Sequence, residues 1–143
     1  MTQPKIIVIE DSPADWELAK IALEKTSYSF ESIFFEDGEE ALNYIQHDCV
    51  PTEIHLILLD LNMPKLNGKD LLRQLKATSQ TRCIPVVIFT SSDLHSDIEE
   101  VYNIGANAFI TKPLDIHEFN KAISIVVDYW LDVNILAPSV ITV

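Results

Sequence analysis

The chain holds only two cysteines among 143 residues, and they stand far apart, at Cys49 and Cys83. Neither belongs to a CxxC pair or has a histidine at ligand spacing, which excludes a disulfide framework and a zinc site. Free thiols fit a reducing compartment, and a cytoplasmic protein is expected. No apolar run approaches the ~20 residues needed to cross a bilayer. Met1-Thr2-Gln3-Pro4 leads straight into Lys5 and a strand, with no room for a signal peptide. Basic residues are scarce: 10 Lys and Arg face 22 Asp and Glu, a formal charge of −12. A nucleic-acid backbone or an anionic membrane would be repelled, and phosphate chemistry would need a cation from solution. The four histidines, His47, His55, His95 and His117, are scattered, and none is assigned to metal or catalysis. No repeat, low-complexity tract or linker interrupts the sequence, so one domain with a proper core is expected.

What is present is a series of short apolar runs that alternate with helical patterns. Ile54 to Leu59, between Pro51 and Pro64, reads as a strand buried on both faces and ends on Asp60. Upstream, Lys5 to Ile9 is a β-branched run ending in Glu10 and Asp11, after which Ser12 and Pro13 open a helix. That helix carries Trp16, Leu18, Ala19, Ala22 and Leu23 at helical spacing through Lys25. Glu31 to Phe35 is a second strand, and Asp37-Gly38 turns into a helix over Glu39 to Gln46. Beyond Asp60, Asn67-Gly68 precedes a helix with Leu71, Leu72 and Leu75 inward. A strand from Ile84 to Thr90 tolerates Pro85 only near its start. The polar Ser91-Ser92-Asp93 then leads into a helix over Leu94 to Asn103, closed by Gly105. Asn107 to Pro113 holds the last short strand, and Asp115 caps a helix over Ile116 to Asp132. Strand followed by helix, repeated throughout, predicts an α/β fold: a doubly wound, five-stranded parallel sheet with helices on both faces. Residues 1–132 make the domain. Residues 133–143 form an apolar tail with Pro138 that packs back on it or pairs with another chain.

In a parallel sheet the carboxyl ends of all strands share one rim. Glu10, Asp11, Asp60, Thr90 and Lys112 therefore converge on one crevice. Each has a plainer reading alone: helix N-terminal charge, strand propensity, a solvated lysine. Their joint placement at four strand ends makes coincidence the poorer explanation. Carboxylates ~4 Å apart repel by ~1 to 4 kcal/mol per pair. Either some are protonated or a divalent cation sits among them. Mg²⁺ suits best, since it prefers hard oxygen ligands and leaves room for a phosphoryl oxygen. Asp60 would then offer a free oxygen as a nucleophile for phosphoryl transfer. Lys112 would balance phosphoryl charge, and the Thr90 hydroxyl would donate to another oxygen.

These residues resemble the receiver domain of two-component response regulators, over about Lys5 to Asp132. The resemblance implies the flavodoxin-like strand order 2-1-3-4-5 with five helices. Glu10-Asp11 is similar to the family's acidic metal-binding pair, in the variant with Glu first. Asp60 within Leu58-Leu59-Asp60-Leu61-Asn62-Met63-Pro64 resembles the phosphoacceptor, and the Asn62 carbonyl the third protein ligand of the metal. Thr90 matches the switch hydroxyl, Phe109 the switch aromatic, and Lys112-Pro113 a Lys-Pro pair whose peptide bond is normally cis in this family. Ile88-Phe89-Thr90-Ser91-Ser92, Gly105-Ala106-Asn107-Ala108-Phe109-Ile110 and Asp128-Tyr129-Trp130-Leu131 look similar to small cyanobacterial regulators paired with phytochrome histidine kinases.

The resemblance implies a single-domain response regulator that takes a phosphoryl group from a sensor histidine kinase, with a cyanobacterial phytochrome as one candidate. With no output domain following, it would act by binding a second copy in a homodimer, the kinase or a relay protein. Phosphorylation would pull Thr90 inward and let Phe109 swing, altering the face of the fourth helix, fifth strand and fifth helix. Tyr129, Trp130 and Leu131 are candidates for a contact patch, although a helix end packing on its own core is the simpler reading of Trp130. Ser92 is placed to influence how water reaches an acyl phosphate. It would be no enzyme beyond its own phosphorylation and dephosphorylation. Rivals are a haloacid-dehalogenase-like phosphatase, a flavin carrier and a phosphorylation-dead scaffold. The phosphatase needs an acid where Asn62 stands, and the flavin carrier a Gly-rich loop where Glu10-Asp11-Ser12-Pro13 stands.

Overall fold

The computed structural model describes residues 3–138. Strands and helices alternate: β1 (Lys5–Ile9), α1 (Pro13–Glu24), β2 (Glu31–Phe35), α2 (Gly38–Asn43) and β3 (Ile54–Leu59). Then come α3 (Gly68–Ala77), β4 (Val86–Thr90), α4 (His95–Ile104), β5 (Ala108–Thr111) and α5 (Ile116–Val127). The five strands pair in parallel in the order β2-β1-β3-β4-β5. The alternating pattern predicts this parallel sheet, and the family resemblance its strand order.

The continuous β-branched runs are explained by two cores, one on each face of the sheet. Side chains of a strand alternate between faces. Ile7, Ile9, Ile57, Leu59, Val86 and Ile88 point to one side, where Leu71, Leu72 and Leu75 of α3 and Val101 of α4 cover them. Ile6, Val8, Leu56, Leu58, Val87 and Phe89 point to the other, beneath Ala19 and Leu23 of α1 and Phe119 and Ile123 of α5. Each large side chain buried this way contributes about 1.5–3 kcal/mol. In the first core the register sets one transverse row, because Ile9 pairs with Leu59, Leu59 with Ile88, and Ile88 with Phe109.

Local signals fix the helix starts near the site. Ser12 accepts from the Asp15 amide at 3.4 Å, Asn67 from the Asp70 amide at 2.9 Å and Asp115 from the Glu118 amide at 3.0 Å. Such caps satisfy amides that the helix leaves without partners. Gly105, at φ 129°, ends α4 in a conformation that side-chain-bearing residues avoid.

Two helices depart from the regular pattern. The helix begun by α2 widens into a π-type turn over Tyr44–Asp48, and α5 does so over Asp128–Val133 rather than running on regularly to Asp132. The second turn is closed by the Asn134 amide on the Tyr129 carbonyl at 2.6 Å. Trp130 and Leu131 rest against the second core, while Tyr129 is exposed and meets Trp130 edge-on. Trp130 thus packs on its own domain. β4 begins at Val86 rather than Ile84, because Ile84 closes a turn onto the Thr81 carbonyl at 3.0 Å. Leu136, Ala137 and Pro138 of the tail border a cavity of about 690 Å³ together with Val50, Ile84 and Pro85, at the sheet end opposite Asp60. Residues 139–143 of the tail lie outside the described residues. Among those described, no helix is long and apolar enough to cross a membrane.

Candidate functional site

The strands run different distances past the row formed by Ile9, Leu59, Ile88 and Phe109. Glu10 and Asp60 follow one residue beyond it, Thr90 two and Lys112 three. Main-chain bonds hold these ends: Asp60 N–H to the Ile9 carbonyl at 3.0 Å, and Lys112 N–H to that of Thr90 at 2.7 Å. All four side chains are polar yet buried, with Thr90 fully inaccessible. Burying such groups is costly unless each finds a partner.

The partners are one another. Thr90 Oγ1 donates to Asp60 Oδ1 at 2.7 Å, and the Asn62 amide approaches the same oxygen at 3.4 Å. Lys112 Nζ lies 3.2 Å from Asp60 Oδ2, 2.5 Å from Glu10 Oε1 and 2.8 Å from Asp15 Oδ2. The Ser12 amide donates to the remaining Glu10 oxygen at 3.1 Å. One ammonium therefore serves three carboxylates, and Asp11 adds a fourth, exposed one close by. Burial pushes the Glu10 carboxyl up to about 7; Lys112 works against the shift and the Asp60 charge adds to it. Burial alone would lower the Lys112 ammonium, but hydrogen bonds to Asp15 and Glu10 and the charge of Asp60 hold it above the ordinary lysine range. Lys112 is thus charged at neutral pH, and the cluster around it is negative.

One carboxylate oxygen from each of Glu10, Asp11 and Asp60 falls within 4.8 Å of the other two. Three hard oxygen donors, with excess negative charge and no thiol or imidazole, match the ligand preference of Mg²⁺ or Mn²⁺. An open cleft of about 560 Å³ leads to this cluster, bordered by Asp11, Asn62, Met63, Asn67, Lys69 and Asp97. The structure thus brings together Glu10, Asp11, Asp60, Thr90 and Lys112. Asn62 is exposed at the cleft. Phe109 is half-buried and packs against the α3–α4 core rather than into the acid cluster. The Lys112–Pro113 bond is trans, since no cis peptide is present among the described residues. The cis form suggested by the family resemblance is not adopted; trans is the intrinsically favoured isomer by about 0.5–1 kcal/mol.

Two contributors escaped the sequence reading. Asp15 occupies the first turn of α1, where an acid ordinarily means favourable helix-dipole charge; only the aim of Lys112 gives it a second meaning. Gly68 lies against the Asp60 backbone, and a Cβ there would fall inside the contact shell of the Asp60 carbonyl oxygen. Its place right after the cap Asn67 was the one available signal.

A family model described as the response regulator receiver domain matches residues 6–124. The chain belongs to that family. Response regulator Rcp1 of Synechocystis sp. is 32% identical to this receiver domain over 134 residues, spanning 90% of each chain. The structure of the phosphorylated cyanobacterial phytochrome response regulator RcpA superposes with a TM-score of 0.87 at 30% identity, covering 96% of this chain and 100% of that one. The Mn²⁺-bound form of Rcp1 superposes at 0.84 and 30% identity, over 94% and 99% of the two chains. The receiver domain is accordingly a signalling module of two-component systems, similar to phytochrome response regulators. Nothing in its site favours the phosphatase reading.

Proposed function

We propose that Asp60 is the phosphoacceptor, taking a phosphoryl group from a phosphohistidine of a sensor histidine kinase. What carries this reading is the Asp60 carboxylate itself, held by Thr90 on one oxygen and Lys112 on the other, beside Glu10 and Asp11. An Asp60 oxygen forms the new P–O bond as the P–N bond to the kinase histidine breaks. Glu10, Asp11 and Asp60 would hold Mg²⁺ through their carboxylates, with the Asn62 carbonyl as a further ligand. When bound, the ion neutralises charge on the transferring group. Lys112 exchanges its bond to Asp60 for one to a phosphoryl oxygen, and Thr90 donates to another.

A phosphoryl group adds about 1.5–2 negative charges, if a phosphorylated side chain is a guide. Two charge-assisted bonds of about 1.5–3 kcal/mol each bring the two-state shift of about 5.5 kcal/mol within reach. Thr90 drawn inward vacates space for Phe109, which remodels the face of α4, β5 and α5. That face is read by binding, in a homodimer or on a partner, and the chain catalyses no reaction beyond its own phosphorylation and dephosphorylation. The likeness to Rcp1 and RcpA supports a phytochrome kinase as the donor and the cytoplasm as the compartment. The charge of −12 argues against nucleic acid and anionic membranes as partners.

The test is incubation with a small acyl-phosphate donor and Mg²⁺, followed by intact mass. One adduct of about 80 Da, a single phosphoryl group, is expected on the wild type and none on Asp60→Asn. An adduct that survives Asp60→Asn would place the acceptor elsewhere.

A further inference from the structure

Beside the acid cluster lies a second polar network that the phosphoryl chemistry leaves unused. Lys69, the residue after Gly68, donates from Nζ to Asp97 Oδ1 at 2.6 Å and Glu100 Oε1 at 2.8 Å. Asp97 stands in the first turn of α4, and its other oxygen accepts from Ser92 Oγ at 2.5 Å. Both oxygens of Asp97 are therefore engaged, one by α3 and one by the loop between β4 and α4. Ser92 is only two residues past Thr90, and its own backbone carbonyl accepts from Thr111 Oγ1 at 3.1 Å. α4 has no side-chain cap at Leu94; instead the Leu94 amide donates to Ser92 Oγ at 3.3 Å. The Lys69 and Asp97 side chains are only 26% and 20% exposed, and both border the cleft that leads to Asp11. The contacts close a ring: the Gly68 amide to the carbonyl of Leu61, the residue after Asp60, then Lys69 to Asp97, Asp97 to Ser92, and Thr90 back to Asp60.

We propose that the Lys69–Asp97 pair is a positioning latch that ties the β4–α4 loop to α3, holds the Ser92 hydroxyl on Asp97 and so keeps water from the phosphoryl group on Asp60. The inference rests on Asp60 being the acceptor. The step that it governs is hydrolysis: water adds to phosphorus, the P–O bond to the Asp60 carboxylate breaks, and inorganic phosphate leaves with the water oxygen. Neither Lys69 nor Asp97 needs to touch the reacting atoms. They act through Ser92 and through the closure of the cleft wall. Breaking the pair frees the loop and opens the wall, which speeds loss of the phosphoryl group.

The test loads wild type and variants with acetyl phosphate and Mg²⁺, removes the donor, and follows decay of the adduct by intact mass. Asp97→Ala and Lys69→Met are each expected to shorten the adduct half-life about threefold or more, with the extent of loading and the Tm little changed. Asp97→Ala combined with Lys69→Met is expected to be no faster than the faster single variant, because one latch is broken either way. Lys69→Arg keeps the bond to Asp97 and retains the wild-type half-life. Wild-type decay in both Asp97→Ala and Lys69→Met overturns the latch while leaving Asp60 as acceptor. Additive acceleration in the double variant, or acceleration in Lys69→Arg equal to that in Lys69→Met, also overturns it. Absence of any adduct on the wild type overturns the acceptor and the latch together.

Discussion

Thr90 and Asp60, 30 residues apart in sequence, share a 2.7 Å hydrogen bond at the ends of adjacent strands. Both are buried, so neither side chain has water to fall back on. Thr90→Val keeps the shape and removes the donor. Chemical denaturation should show a loss of about 1–3 kcal/mol, the cost of a buried charged acceptor deprived of a partner. Phosphoryl loading of Asp60 should persist at a lower rate, while NMR shifts over α4 and β5 should no longer respond to it.

The raised pKa of Glu10 fixes the sign of a pH effect. Its carboxyl titrates at about 7 in the fold against 4.5 ordinarily, so between those values the unfolded chain binds fewer protons than the folded one. Stability contributed by this group therefore falls as pH rises from about 4.5 to about 7 and levels off above. Glu10→Gln removes the penalty. Metal-free protein at pH 8 should gain up to about 3 kcal/mol from this substitution, and its stability should lose most of its dependence on pH in that window.

Adding Mg²⁺ or Mn²⁺ at neutral pH should raise the Tm, because three carboxylates that repel one another gain a shared counter-charge. A hundredfold excess over Kd corresponds to about 2.7 kcal/mol. Asp11→Asn, an exposed change that leaves the core untouched, should abolish most of the rise in a thermal melt. Mg²⁺ and Mn²⁺ both giving no shift at millimolar concentration would count against a cation site.

Gly68→Ala introduces a methyl group where the Asp60 carbonyl oxygen already sits. Overpacking of this kind costs about 1–3 kcal/mol, and here the displaced atoms belong to the proposed acceptor, Asp60. Loading of Asp60 should fall together with stability. Gly105→Ala is the matched control: its φ of 129° makes it destabilising too, but it contacts Lys76 far from the crevice, and loading should be unaffected.

The sheet was readable because β1, β3 and β4 are short apolar runs covered on both faces, whereas the edge strands β2 and β5 are only partly buried and were legible from the alternation of strand with helix. Asp60, Thr90 and Lys112 were readable for a related reason, since parallel strands deliver their last residues to a common edge. Asp15 was not, because an acid in a first helical turn has an adequate local explanation that masks its bond to Lys112. The Lys69–Asp97 pair was hidden more deeply. It depends on how the starts of α3 and α4 face one another across the crevice, which no spacing within either helix records. The π-type turn after Val127 was missed because Phe119, Ile123, Val126 and Trp130 keep a helical rhythm that says nothing of how the last carbonyls are satisfied.

The polar groups of the crevice hang at successive depths past one row of paired residues, so it works as a set of pegs of fixed length. Deleting a single residue from β5 would draw Lys112 back by roughly 3.3 Å and turn it to the opposite face of the sheet. The connections at the other end of the sheet, such as that from α1 to β2, supply no group to the crevice. The chemistry therefore depends on counting: a strand one residue short would disarm the crevice even with every side chain of the cluster retained.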